Sequence, residues 1–539
     1  MWLCLLTPIV IYFLLIKIYA VNIPYVDDHA LKGFILKYFS TQQFTNRIKA
    51  IFEQHNEHRI GLTRVLLLLF YYLNNEIDYR WLIWIGNGFL MGILYLYGRY
   101  FQLKKIAFYY LIPISWVLFN LENQENTFWG MASVQNFGVL FFCLLAFLQL
   151  EQKQYILTAI SLTIAVFTSG NGLFALCIVC FMVLFQQQWR VLISMVLLGM
   201  VLGIIYFGDY HAPPATPTAR LADAPDVMKA TFAFWGSYID FSQESPLEFR
   251  KIKTIFLGIF LFLGVSLCVL MNVSYSQKQH KIGLTPSFSV FIMATFMLIF
   301  MSSLIVVYSR IVGYGYPTIL TSRYKIYSIL LLITLYVWAI TVLQEKYKKV
   351  LLIVFSFFSI VGFFNSLYAN LNPIDYHYKT LITNAFNWSS STKKNVPTGY
   401  NYTIPSSILN QVKLDSSVNS TASKFVFDKV IIDENTIDVQ GKLDEEFIKP
   451  SDGIYLMVQS NQKIYLFPTH CTSTGIRKMI TKRQYWSGNF RVSIPKVELE
   501  AGKYQMGLIS IKDHQTVSYK TETSFVVLAN NKKPIKTNW

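Results

Sequence analysis

The sequence predicts an α-helical polytopic membrane protein of about eleven transmembrane helices, followed by a C-terminal β-sandwich domain. Three observations carry this. Hydrophobic residues make up 53% of the 539 positions and charged residues only 14%, outside the range of ordinary soluble domains. Apolar stretches close to the roughly 20 residues that cross a bilayer recur from Met1 to about Asn370, then stop. Beyond them the chain turns to short alternating runs separated by Asn, Gly and Asp.

Spans are expected near 1–20, 81–98, 106–120, 128–149, 155–169, 172–187, 190–208, 254–272, 287–308, 326–343 and 350–369. The first lacks a basic n-region, and Lys17-Ile18-Tyr19-Ala20 is a poor cleavage site, so it reads as a retained helix. With the N-terminus cytoplasmic, the inner loops carry Arg99/Lys104/Lys105, Lys153, Arg190, Lys278/Lys281 and Lys346/Lys348/Lys349. The short opposite loops, Glu122–Thr127 and Ser169–Asn171, carry no Lys or Arg, as the positive-inside rule requires. Two spans, 106–120 and 155–169, are short. Leu62–Leu73 reads as a juxtamembrane or re-entrant helix, because a crossing there would put the basic loops outside. The outer side then holds a long first loop (21–80), loops at 209–253 and 309–325, and the tail. The domain plan is a membrane domain over 1–370, a linker over 371–420 and an immunoglobulin-like β-sandwich over 421–530.

The net charge of +17 is scattered through loops and tail with no nucleic-acid motif beside it. Membrane lipid is the expected partner, and nucleic acid is not. Cys177 and Cys180 have C-x-x-C spacing but sit in an apolar run without His or acidic partners, so no metal or redox role is expected.

Chemistry-bearing residues collect in the loops expected outside. Asp27 and Asp28 follow the first span; either suits a general base or a divalent-cation ligand, or caps the next helix. Glu57, His58 and Arg59 lie further along the same loop. Glu122 and Glu125, at i and i+3, precede Trp129, which suits a sugar face or a membrane-interface anchor. Arg310, Arg323 and Lys325 flank Gly313 and Gly315 on the side where cations are scarce. Guanidinium forks match phosphate, although snorkelling to phospholipid head groups also accounts for them. Thr168-Ser169-Gly170-Asn171-Gly172 lacks a P-loop ending and reads as a tight turn. Prolines 213, 214, 217 and 225 stiffen the 209–253 loop.

The acidic pair after the first helix, the long first outer loop and the soluble C-terminal domain resemble the C-type (GT-C) glycosyltransferases. Asn56-Glu57-His58-Arg59-Ile60, Glu122-Asn123-Gln124-Glu125-Asn126-Thr127-Phe128-Trp129-Gly130 and Ser322-Arg323-Tyr324 resemble a group of uncharacterised bacterial polytopic proteins of that superfamily. The resemblance implies transfer of a sugar from a polyprenyl-phosphate donor to a glycan, lipid or protein acceptor at the outer face of a bacterial inner membrane. Asp27, Asp28, Glu57 and His58 would be catalytic, with Asp27 and Asp28 holding any divalent cation. Arg310, Arg323 and Lys325 would hold the donor phosphate, converging with the acidic pair on one cavity. Arg59, Glu122, Glu125 and Trp129 would bind substrate. The competing class is a flippase or transporter for lipid-linked glycans, which predicts ionisable groups within the spans, or an envelope scaffold with the sandwich as its working part.

Overall fold

Among the described residues, eight helices are long and apolar enough to cross a membrane: Trp2–Tyr19, Tyr79–Leu103, Gly130–Glu151, Trp189–Phe207, Leu247–Met271, Val290–Ile319, Ser322–Val342 and Glu345–Asn387. The chain is accordingly a polytopic helical protein with a C-terminal β-sheet region. The computed structural model describes residues 1–212, 217–281, 289–390, 425–443, 453–461, 463–512 and 515–528. Two compact units emerge: Met1–Ile18 with Ala30–Asn370, and Tyr19–His29 with Leu371–Trp539.

Eight helices of crossing length stand where eleven spans were expected, and the three shortfalls have local causes. Around Pro113 the chain forms a 3-10 turn, Phe108–Leu111, and a seven-residue helix, Ile112–Leu118. Tyr155–Val166 and Asn171–Phe185 are separated by the polar Thr168–Asn171 turn. At 1.5 Å per residue they reach about 18 and 22 Å, short of a roughly 30 Å hydrocarbon core. Gly172 sits where a Cβ would lie 2.3 Å from Ala165 C, so this turn requires glycine.

The expected outer loops are mostly helical. In the first, helices Asp28–Ser40 and Phe44–Phe52 lead to a small hairpin, β1 (Gln54–His55) and β2 (His58–Arg59), then to helix Gly61–Asn74. Within 209–253, helix Ala224–Trp235 packs against the helix starting at Leu247. The two backbones meet at glycines: a Cβ on Gly258 would lie 1.8 Å from Phe232 O, and one on Gly236 1.9 Å from Thr254 O. Pro213 and Pro214 lie outside the described residues. The expected 309–325 loop is instead the end of helix Val290–Ile319, broken at Gly315 (φ 70°), followed by a 3-10 turn, Ser322–Tyr324. Deep in the bundle, Tyr12 OH donates to Asn87 Oδ1 (2.5 Å) and meets Thr127 Oγ1 (2.8 Å), while Asn87 Nδ2 donates to Thr127 O (2.9 Å). These bonds fix the 122–127 segment to two helices.

In the second unit, eight strands among the described residues form two antiparallel sheets. β3 (Phe425–Ile432), β4 (Thr436–Leu443), β8 (Trp486–Pro495) and β7 (His470–Ser473) form one, in that order. β10 (Gln515–Val527), β9 (Gly502–Lys512), β5 (Ile454–Gln459) and β6 (Ile464–Pro468) form the other. Val439, Phe490 and Ile494 from the first share a core with Leu456, Met506 and Phe525 from the second. A bulge between Phe427 and Lys429 explains why the apolar positions run 425, 427, then 430.

The segment expected as a linker begins as helix. Glu345–Ser390 is continuous, and its residues Leu381, Ile382, Ala385 and Phe386, with Ile23, cover Tyr455, Met457, Leu466 and Ile509 on the outer face of the β5–β6–β9 sheet. That second burial makes β5 buried on both faces rather than alternating. Asn387 pairs with Leu466 through both its amide nitrogen and its oxygen, each at 2.8 Å, substituting for a neighbouring strand at the β6 edge. Residues 391–420 of the expected linker lie outside those described.

Candidate functional site

The three motif segments meet in the first unit as one hydrogen-bonded network. The β1–β2 hairpin turns at Asn56 (φ 49°) and carries Glu57 at its tip. Arg59, nearly buried, anchors it: Nε donates to Tyr206 O (2.7 Å), one terminal nitrogen to Phe52 O (2.5 Å), and the other pairs with Asp209. The arginine read as a substrate contact is therefore committed to protein groups. Glu57 stays 45% exposed and faces Arg310, itself 32% exposed, across 3.6 Å.

His58 Nδ1 accepts from Gly170 N–H at 3.3 Å, joining hairpin to turn. Burial lowers the His58 pKa, so the neutral imidazole that this acceptor role needs is the favoured form. Asn171 donates to Tyr327 OH, and Gln135 Nε2 lies 3.4 Å from Ser169 Oγ. Gln135 and Asn136 sit on a π-helical turn, Ser133–Phe137, an irregularity that re-aims side chains and recurs at functional sites. Gly86 permits it, since a Cβ there would lie 2.2 Å from Ser133 Oγ. Asn136 donates to Asn126 Oδ1 (2.8 Å), and Asn126 Nδ2 to Arg323 O (2.9 Å).

The Glu122–Gly130 and Ser322–Tyr324 segments interlock. Ser322 Oγ donates to Glu122 O (2.6 Å) and accepts from Glu125 N–H (3.2 Å). Arg323 pairs with Glu125 at 3.2 Å, 35% exposed, and lies over the Trp129 ring at 5.7 Å. Burial raises the Glu125 pKa against the pull of Arg323. Trp129 is itself buried among protein groups, so it presents no open ring face. Asn123 is buried, and neither its amide nitrogen nor its oxygen has a hydrogen-bond partner among the described residues, leaving polar capacity beside the site.

Beneath lies a buried ionic knot. Lys325 Nζ donates to Glu122 Oε2 (2.5 Å) and Asp240 O (2.5 Å), while Ser366 Oγ (2.8 Å) and Asn370 Nδ2 (2.7 Å) donate to Glu122 Oε1. Asp240 takes a fork from Arg250 at 2.7–3.1 Å and pairs with Lys253 at 3.1 Å. Burial pushes the Glu122 carboxyl up, outweighing Lys325 and its hydrogen bonds. Burial also opposes ionisation of Asp240, but Arg250, Lys325 and Lys253 together hold its pKa below the usual carboxylate range. Lys325 and Glu122 are 1% and 0% exposed, so both are committed to this knot rather than presented at the surface.

Asp27 and Asp28 belong to the second unit. Asp28 is buried at the start of its helix, and its Oδ2 accepts from Tyr25 N–H at 3.2 Å, behind a turn with Val26 at φ 45°. Among the described residues, no three His, Cys, Asp or Glu side chains are gathered as a metal site.

Sequence reasoning missed Asp240, Ser366, Asn370, Gln135 and Asn136. One signal for Asp240 was available: Arg250 and Lys253 also stand in the region expected outside, where cations are scarce. Each of Arg59, Arg250, Lys253, Arg310, Arg323 and Lys325 is in fact matched by a carboxylate. No family model, curated protein or solved structure matches the chain.

Proposed function

We propose that the chain is a membrane glycosyltransferase of the GT-C type, moving a sugar from a polyprenyl-phosphate donor to a glycan, lipid or protein acceptor at the extracytoplasmic face of a bacterial inner membrane. One observation supports it above the others: Arg310 and Arg323 stay about one-third exposed at the two ends of a polar run in which His58 accepts from Gly170, Gln135 meets Ser169, Asn136 donates to Asn126 and Asn126 donates to Arg323 O. Guanidiniums match phosphate, and amides match sugar hydroxyls. The 3.6 Å Glu57–Arg310 contact is loose enough for a phosphate oxygen to replace the carboxylate. Glu57, released beside neutral His58, is then placed to accept the proton of an acceptor hydroxyl, while the arginines stabilise charge on the departing phosphate. Lys325 and Glu122 position the Arg323 segment. Asp27 and Asp28 remain candidates for base or divalent-cation ligand on the sequence argument, and the immunoglobulin-like tail is assigned to acceptor binding.

Proteoliposomes holding the purified chain, given radiolabelled polyprenyl-phosphate sugars and envelope fractions from cells lacking the gene, should label an acceptor and release polyprenyl phosphate. Arg310→Ala and Arg323→Ala should each raise the donor KM roughly tenfold, the loss of about one charged hydrogen bond. Glu57→Gln should lower kcat and spare donor binding. Polyprenyl-phosphate binding unchanged after loss of both arginines would refute the reading, and movement of the lipid-linked sugar across the bilayer without transfer would replace it with a flippase.

A further inference from the structure

Between β7 and β8 the chain leaves its sheet for a seven-residue helix, Ile476–Lys482, entered from Gly475 and ended by Arg483 at φ 52°. None of its residues is buried. So short a helix is marginal on its own, and this one has only Met479 partly buried against its domain. At about 100° per residue, Ile476, Met479 and Ile480 share one stripe, with Arg477 on one side and Lys478 and Lys482 on the other. Ile476 and Ile480 are 52% and 69% exposed, an apolar stripe facing outward from a β-domain.

The charge pattern around it is one-sided. No Asp or Glu occurs from Gly453 to Val497, and Arg477, Lys478, Lys482 and Arg483 form no ion pair among the described residues. The cations of the polar network are the opposite case, each matched by a carboxylate. An apolar stripe fringed by unmatched Lys and Arg is the build of a helix that lies on an anionic bilayer, its cations at the head groups and its aliphatic side chains at the acyl boundary. The chain carries eight helices of membrane-crossing length among its described residues, so a bilayer accompanies it.

We propose that Ile476–Lys482 with Arg483 is a docking surface for anionic phospholipid head groups, Ile476 and Ile480 inserting into the interface. This assignment is independent of what reaction, if any, the polar network performs. Each cation near a charged surface strengthens binding roughly fivefold, so reversal of two lysines should release the helix.

The test uses the full chain in nanodiscs, its native cysteines replaced by Ser and Ile480→Cys carrying a polarity-sensitive dye. Nitroxide-bearing lipids should quench the dye in discs containing phosphatidylglycerol and much less in phosphatidylcholine discs. Lys478→Glu/Lys482→Glu, surface changes that leave the domain's core untouched, should cut the quenching several-fold, as should high salt. A dye equally water-exposed in both discs, or quenching that ignores the lysine reversal, overturns the proposal. So does capture of the unquenched helix by soluble heparin in preference to the anionic disc, which would assign the patch to an acidic polymer.

Discussion

Removing one partner of the Glu122–Lys325 pair should destabilise the membrane unit far more than removing both. The pair is closed from solvent, at 0% and 1% exposed and 2.5 Å apart. Breaking a buried pair leaves an uncompensated charge, at about 3–5 kcal/mol, whereas exchanging both partners for neutral groups of similar volume is close to neutral. Glu122→Gln should fall at the low end, about 3 kcal/mol, because Lys325 keeps Asp240 O at 2.5 Å and Asp240 Oδ2 at 4.0 Å. Lys325→Met leaves Glu122 with only Ser366 and Asn370 as donors. Burial has already raised the Glu122 pKa, so the folded state takes up a proton before the unfolded chain does. The Lys325→Met deficit should therefore be full at high pH and shrink as pH falls towards the ordinary carboxyl range. Glu122→Gln/Lys325→Met should recover most of the loss, a coupling of about 2 kcal/mol or more. Unfolding in detergent by SDS titration, on all four proteins at several pH values, measures the cycle. Additive single and double effects, or a Lys325→Met deficit that grows in acid, would refute the reasoning.

Gly258→Ala should cost about 1–3 kcal/mol by overpacking against Phe232 O, whereas Gly88→Ala, with nothing within 4 Å, should be neutral or gain up to about 1 kcal/mol; thermal melts compare them. Because burial lowers the His58 pKa, its contribution is whole above the ordinary histidine value of about 6.5 and is lost as pH falls through that value toward the folded one. The stability gap between the parent and His58→Gln should close in the same window, and a pH-independent gap would remove His58 from the network. A fragment spanning 421–530 exposes Tyr455, Met457, Leu466 and Ile509 and should aggregate, while one starting at residue 371 retains Leu381, Ile382 and Phe386 and should run as a soluble β-domain on size exclusion. With the N-terminus cytoplasmic, Cys at exposed Glu76 should react with an impermeant reagent on intact cells and Cys at exposed Lys349 should not; the reverse pattern inverts the orientation.

Hydrophobic content and span-length periodicity, which act within one segment at a time, were enough to place the helices of crossing length and most of the tail's strands. The same locality explains the failures. A helix that ends early at a polar turn, such as Tyr155–Val166, reads in the sequence as a short span. The run Ile454–Val458 reads as a strand without revealing that a helix far upstream in the chain covers its second face.

The motif residues were visible as residues. Glu57, Glu122, Glu125, Arg310 and Arg323 were all singled out, and all five lie in one network, yet their pairings were not legible, because ion pairs such as Glu122–Lys325 join positions about two hundred residues apart. Scarce cations on one expected side signalled ligand binding. The structure pairs each with a carboxylate from another segment of the chain, since a charge leaving water needs a partner. The sequence by itself determined that the chain is polytopic, where its polar segments fall and which side chains they carry. Only the tertiary structure decided which of those groups are committed to one another, because burial and pairing depend on distances between segments that no local pattern encodes.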